Sequence, residues 1–284
     1  GGVDLTARSM QRFLPDALGQ SVVVENYPGA SGKIGILKFL EAPRDGYTVL
    51  TAFAPATTVV RHRDPSIFEN SDLAIINMQW ADEVVLVAHK DTGWTNLSDM
   101  IEAVRAEPGK YSFGSSGAGS AGPIMVKILF DKLGLDVKMV PYAGGGKTRA
   151  AIKGGHVDMI AGGNSGHVPL SDTVNMIGVF WDTPVPEWPE GQTVNDQLKA
   201  YDTDVPTAAA FRFHAVHKDV KENYPDRFQT LVDAFQLTTE ENDAFKEFAD
   251  GASIRREWLG PDASQALISE VDARFWNILE TSSK

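Results

Sequence analysis

Two short stretches carry the residue types that could do chemistry. The first is "VPYAGGGKT", residues 140–148, a Gly-rich loop ending in Gly-Lys-Thr between an apolar run and a helical one. That order of strand, loop and helix is how a P-loop holds nucleotide phosphates. The pattern needs glycine, four residues, then Gly-Lys-Ser/Thr. Here Gly146, Lys147 and Thr148 match, but the first position is Pro141. Proline has a fixed φ and no N–H, so it cannot make the turn that the first glycine makes. Asp182 after "NMIGVFW" would be the magnesium-binding acid, although any apolar strand followed by Asp fits that role equally well. The plain alternative is a strand-to-helix turn whose backbone angles call for glycine.

The second stretch, "GSSGAGS", invites a serine-hydrolase reading. A nucleophile elbow needs Gly-x-Ser-x-Gly. Ser116 has Gly114 before it but Ala118 after it; Ser120 has Ala118 before it and Gly122 after it. The six histidines show no triad arrangement. His214 and His217 are three apart in a strand-like run and so face opposite ways, and His156 lies in a turn that reads as exposed. No cluster has metal-ligand spacing. Glu240 and Glu241 read as a solvated helix face. Trp181, at a strand end, reads as core before pocket wall.

Bulk properties narrow the classes further. The 284 residues are 43% hydrophobic and 23% charged, ordinary for a globular chain with a core. No apolar run reaches membrane-spanning length. The formal charge of −12 argues against a nucleic-acid or anionic-membrane surface. It also means that an anionic ligand would be bound by local dipoles, against the overall field. There is no cysteine, which excludes disulfides, thiol catalysis and Cys-based zinc sites.

The elements that must position these residues alternate. A helix is expected over "DLTARSMQRFLPDALG", a strand at "SVVVENY", a helix at "IGILKFLEA" and a strand at "RDGYTVLTAF". Two strands follow at "LAIINMQW" and "EVVLVAHK", then a helix from "NLSDM" capped by Asn96 or Ser98. "YSFGSS", "DVKMVPY", "VDMIAGG", "VNMIGVFW" and "AAAFRFHAVHKD" read as strands. "PIMVKILFDKLG" and "TRAAIKGG" read as helices, with Pro at the start of the first and Gly at its end. The last third reads as helices. Alternation of this kind indicates an α/β fold with a largely parallel sheet. Ligands of such sheets bind beyond the carboxyl ends of strands. The candidate site loops are therefore 1–4, 53–56, 115–121, 142–146 and 162–165. Several are rich in Gly or Ser where a helix begins, and so present free N–H groups at a positive helix end. A binder of small anions, without cofactor or metal, is the reading that remains.

At that point the chain resembles the solute-binding receptors of the tripartite tricarboxylate transporter family, the Bug-type or TctC-like proteins. "GGVDLTAR", "VVVENYPGASGKIG", "APRDGYTVL", "YSFGSSGAGSAG" and "VPYAGGGKTRAAIKGGHVDMIAG" carry the resemblance in order along nearly the whole chain. It implies a type II periplasmic-binding-protein fold, a Venus flytrap of two α/β lobes with a hinge and a ligand cleft between them. Lobe one would be 1–91 plus 215–284, and lobe two 92–214. It implies a periplasmic, monomeric, non-enzymatic protein that delivers a small carboxylate to membrane permease subunits and takes no nucleic acid. A ligand sensor, or a hydrolase or transferase on the same fold, are the alternatives. Because the chain opens in a Gly turn feeding a helix, the first strand and an export signal are expected to precede this numbering.

By position, Gly1, Gly2, Val3 and Asp4 and the turn Ala54, Pro55 and Ala56 would contact ligand from lobe one. From lobe two, Ser115, Ser116, Gly117, Ser120 and Ala121 would cradle a carboxylate at a helix start. Tyr142, Gly144 and Gly145 would add N–H donors, with Gly163 and Asn164 beside them. Asp4 reads first as a helix cap, since a carboxylate facing an anion needs water or a cation between them. Where the family has Tyr-Lys-Gly-Gly, this chain has Ala143, with Lys147 and Arg149 following; the role of those two cations is open.

Overall fold

A computed structural model of the protein describes residues 2–117, 119–252 and 254–282. Helix α1 (Gly2–Leu18) buries Thr6, Ser9, Met10, Phe13 and Leu14, one face at three- and four-residue spacing. Gly19, at φ 63°, ends it. The expected strand at 21–27 is extended but belongs to no ladder among the described residues. A β-branched run favours extended backbone, but a strand exists only where another pairs with it. Val23 is accordingly 76% exposed while Val22 packs on the core.

Helix α2 (Lys33–Glu41), strand β1 (Leu50–Ala54) and helix α3 (Ala56–Arg63) follow. The two strands expected next are one, β2 (Leu73–His89), seventeen residues long. The intervening Asp82 does not break it, because Ser165 donates to both of its carboxylate oxygens, from N at 2.9 Å and from Oγ at 2.8 Å. Then come α4 (Leu97–Ala106), capped by the Asn96 side chain, β3 (Ser112–Ser115) and α5 (Ala121–Leu133), stopped by Gly134 at φ 62°. Strand β4 (Lys138–Pro141), helix α6 (Gly145–Lys153), strands β5 (Met159–Gly163) and β6 (Val174–Val179) and helix α7 (Val194–Leu198) continue the chain. Helix α6 begins two residues before Lys147, so the glycines thought to be loop form its first turn. Strand β7 (Ala209–His217) leads into α8 (Lys218–Asn223), α9 (Pro225–Glu240), α10 (Asp243–Gly251) and α11 (Gly260–Ser282).

The chain divides into two units. One holds Gly2–Ala81 and the chain from Phe211 onward, the other Asp82–Ala210. In the first, β1 and β7 pair antiparallel, from Leu50 opposite Ala215 to Ala54 opposite Phe211. Its core joins Met10 and Phe13 of α1 to Phe228, Phe235 and Phe245. Phe13 and Phe245 meet edge to face at 5.5 Å. Each such side chain contributes about 1.5–3 kcal/mol by leaving water. Arg61 of α3 donates to Asp272 of α11 at 2.6 Å and to Glu69 at 2.7 Å, so the guanidinium buried there is matched by carboxylates.

In the second unit β3 runs parallel to β4 and β5, while β2 runs antiparallel to β5 and β6. The sheet is mixed rather than largely parallel, because β2 enters it against the direction that the β-α-β units impose. Helix α6 packs on its core, which includes Val85, Val87, Ile152, Ile160 and Val179.

Two buried histidines make stability depend on pH. The Nε2 of His214 bonds Gln79 Oε1 at 2.8 Å and Nδ1 bonds Thr51 Oγ1 at 3.0 Å, one donor and one acceptor, as a neutral imidazole requires. Burial pushes His214 down to about 3. His167 is pushed down to about 4 by burial, with the Arg149 charge adding to the effect; its Nδ1 bonds the Gly163 carbonyl at 2.7 Å. The unfolded chain protonates both near the ordinary value of 6.5. It therefore binds more protons than the fold below that pH, and stability falls as pH falls. Calorimetric melting is expected to be level from about pH 7 to 8 and to drop steadily from about 6.5 towards 4. A melting temperature unchanged down to about pH 4.5 would show that these rings are not held neutral.

Candidate ligand-binding site

In the Asp82–Ala210 unit, Ser115 at the end of β3 lies opposite Pro141 at the end of β4, and Gly114 opposite Ile160 of β5. Three parallel strands thus end at one edge. Helices α5 and α6 both begin there, with first-turn amides that have no intrahelical acceptor and point outward. Their positive dipole ends face the same way. Gly122 makes this close approach possible. A methyl group there would collide with the Ala161 carbonyl of β5 and lie 2.8 Å from the Gly162 nitrogen. Gly117 and Gly144 hold the two turns at φ 115° and 91°, backbone that side chains disfavour.

The predicted donors divide into those still available and those already used. Tyr142 N–H donates to the Ser115 carbonyl at 2.8 Å, and Gly144 N–H to the Tyr142 carbonyl at 2.9 Å. Both amides fix the turn and are not ligand donors. Ser120 N–H likewise donates to Gly117 O at 3.1 Å, but its side chain makes no capping bond to α5. Ser115, Ser116 and Ser120, at this edge, are half-buried. Ala121 and Gly145 open their helices. Gly163 and Asn164 follow β5. Asn164 is buried, and its side-chain amide donates to Glu187 Oε2 and accepts from Trp188 Nε1, both at 2.8 Å.

Thr148, the residue that a P-loop would turn to magnesium, is buried and donates back to the Gly144 carbonyl at 3.1 Å. Among the described residues no cluster of His, Asp or Glu could hold a metal. A cavity of about 250 Å³ between Thr95, Met176, Glu190 and Gln197 contains none of the predicted residues.

Two groups at this edge escaped the sequence reading, and the role of a third, Arg149, was left open by it. Asp82 lies against Gly163, where a methyl group would collide with its carboxylate. A charged pair, Asp82-Glu83, inside an apolar run was the signal for it. His167 is buried beneath Gly162. Arg149 reaches Gly145 and Gly166.

In the other unit Gly2, Val3 and Asp4 form the first turn of α1, not a loop; Gly1 lies outside the described residues. Asp4 does not cap the helix. It accepts from Asn26 Nδ2 at 2.6 Å and Arg8 Nε at 2.8 Å, and the Asn26 bond first, then Arg8, hold its carboxyl below the usual range. A methyl group on Gly2 would strike the buried Arg212 guanidinium, which stacks on Trp80 at 3.9 Å. Ala54, Pro55 and Ala56 join β1 to α3 with buried side chains, so they can offer a ligand main chain alone.

The pattern of the tripartite tricarboxylate transporter family receptor matches residues 6–208. The chain belongs to this family. Protein BugT of Bordetella pertussis is 32% identical over 160 residues, 55% of this chain and 49% of that protein. A protein of Pseudomonas sp. strain P51, from the tcbD-tcbE intergenic region, is 30% identical over 198 residues, 68% and 59%. The chain thus spans about half the length of the curated relatives it matches. Among solved structures, periplasmic binding protein BugD superposes with a TM-score of 0.83 at 21% identity, covering 100% of this chain and 94% of that one. MatC from Rhodopseudomonas palustris, with bound malate, gives 0.79 at 19%, covering 97% and 94%. A further R. palustris protein, with adipate, gives 0.81 at 19%, covering 99% and 92%. These likenesses show a periplasmic-binding-protein fold for this member of the family. No helix among its described residues is long and apolar enough to cross a membrane.

Proposed function

We propose that this family member is a monomeric extracytoplasmic receptor that captures a small organic carboxylate and delivers it to the permease of a tripartite tricarboxylate transporter. The observation that carries the reading is the common edge of β3, β4 and β5, where two helix starts and three serines converge. Such an edge binds an anion by oriented N–H and O–H groups. It needs no lysine, which suits a protein of net charge −12. Charge-assisted hydrogen bonds contribute about 1.5–3 kcal/mol each. Several of them cover much of the ~8 kcal/mol of a micromolar complex. Malate and adipate in the two R. palustris proteins support carboxylates as the class.

Melting temperature against a panel of small mono-, di- and tricarboxylates tests the reading. A ligand at 100 times its dissociation constant adds about 2.7 kcal/mol. The expected result is a clear rise with at least one carboxylate. No rise with any of them overturns the proposal.

A further inference from the structure

We propose that Tyr47, Tyr224 and Arg227 form the surface by which this receptor docks on the extracytoplasmic face of its permease, with Arg227 pairing with a carboxylate side chain of that partner. The inference rests on the receptor reading of the protein and names its contact with the transporter. The three residues belong to the unit of Gly2–Ala81 and the chain from Phe211 onward, whereas the strand-end edge belongs to the other unit.

A tyrosine ring usually lies mostly out of water. Tyr47 is 78% exposed and Tyr224 42%. The turn that carries Tyr47 is nevertheless fixed to the helices beneath it. Arg44 donates to Asp219 of α8 at 2.8 Å, and Arg227 of α9 donates from Nη1 to the Asp45 carbonyl, also at 2.8 Å. Asp45 Oδ1 accepts from the Tyr47 N–H at 3.1 Å. Gly46, at φ 89°, lets the turn lie against α8; a methyl group there would meet Val220 Cγ1 at 3.1 Å. The Arg227 guanidinium then lies 5.0 Å from the centre of the Tyr47 ring and 4.8 Å from that of Tyr224. Attraction between the cation and both rings orders the cluster before any partner arrives.

Tyrosine and arginine anchor protein interfaces. A rigid ring offers area at little entropic cost, and a guanidinium fork meets a carboxylate at two points. Charge narrows the kind of partner. Among the described residues no carboxylate pairs with Arg227. The chain as a whole is acidic, with 38 Asp and Glu against 26 Lys and Arg. That field disfavours a second copy and an anionic lipid surface. A different protein remains, one that offers a carboxylate to Arg227 and apolar surface to the rings. In the receptor reading that protein is the permease.

The test measures binding of fluorescently labelled receptor to phosphatidylethanolamine–phosphatidylglycerol liposomes that carry the permease, and to the same liposomes without it. Wild type should bind only the permease-bearing liposomes. Tyr47→Ala and Arg227→Glu should each weaken that binding about 10- to 100-fold. Arg227→Lys, which keeps the charge and loses the fork, should fall between them and wild type. Tyr47→Ala, in an exposed turn, should keep its carboxylate affinity within about 2-fold, and it carries the test if the Arg227 variants fail to fold. Unchanged docking in Tyr47→Ala and Arg227→Glu overturns the inference and leaves the receptor reading standing. Carboxylate affinity that falls in step with docking would assign the cluster a structural role and overturn it too. Equal binding to liposomes without permease would assign the cluster to lipid, and a wild-type dimer that Tyr47→Ala dissociates in sedimentation would assign it to a second copy; either result overturns the inference. Wild type that binds a carboxylate but ignores permease-bearing liposomes sinks this inference together with the delivery step of the receptor reading.

Discussion

The Ser116→Asp protein is expected to fold normally and to lose at least a hundredfold in carboxylate affinity. Ser116 is half-buried in the turn between β3 and α5, beside Gly117. A carboxylate there faces the ligand anion. Two like charges 4 Å apart repel by about 4 kcal/mol at the effective dielectric of a protein surface, close to a thousandfold in affinity. The new side chain would also accept from the α5 amides and compete for them from within. The matching Ser116→Ala change removes one charge-assisted hydrogen bond of about 1.5–3 kcal/mol, and should weaken binding by about 10- to 100-fold. Calorimetric titration of the three proteins checks both values. Wild-type affinity in Ser116→Asp would remove this turn from the site. If the protein were instead a hydrolase with Ser116 as nucleophile, Ser116→Ala would keep ligand affinity and abolish turnover.

Gly122→Ala should be the most damaging single methyl group at this edge. The atoms it would strike are the Ala161 carbonyl and the Gly162 nitrogen, backbone of β5 that cannot rotate away as a side chain would. Helix α5 must then back off the sheet, at a cost of about 1–3 kcal/mol or more. Its first turn moves with it, so ligand affinity should fall together with melting temperature. A control is Gly146→Ala, where an added methyl group meets nothing within 4 Å. Equal melting temperatures for the two variants would mean that α5 does not start against β5 as described.

Where local chemistry decides an element, the sequence was readable. Asn96 caps α4 and Gly134 stops α5 because a side-chain acceptor and a left-handed residue act within one turn. The Gly- and Ser-rich stretches after β3, β4 and β5 marked the edge for the same reason. What escaped depends on partners far along the chain. The run at 21–27 has strand composition, but composition does not supply a pairing neighbour. The runs on either side of Asp82 read as two strands, yet Ser165, 83 residues away, satisfies its carboxylate and β2 continues through it. Asn164 was placed beside the expected donors, and its side-chain amide bonds Glu187 and Trp188 of the proline-rich segment. Tyr142 and Gly144 present amides in the expected loop and spend them on its turn. A loop rich in potential donors is visible in a sequence; which of them remain available depends on the fold around it.

The most direct test of the central claim takes the carboxylate with the largest melting shift, titrates it calorimetrically into wild type, and recovers the ligand for NMR. Saturable one-to-one binding is predicted, with the ligand recovered unchanged and no heat from ATP with magnesium. Conversion of the ligand, or binding of nucleotide without any carboxylate, would contradict the account.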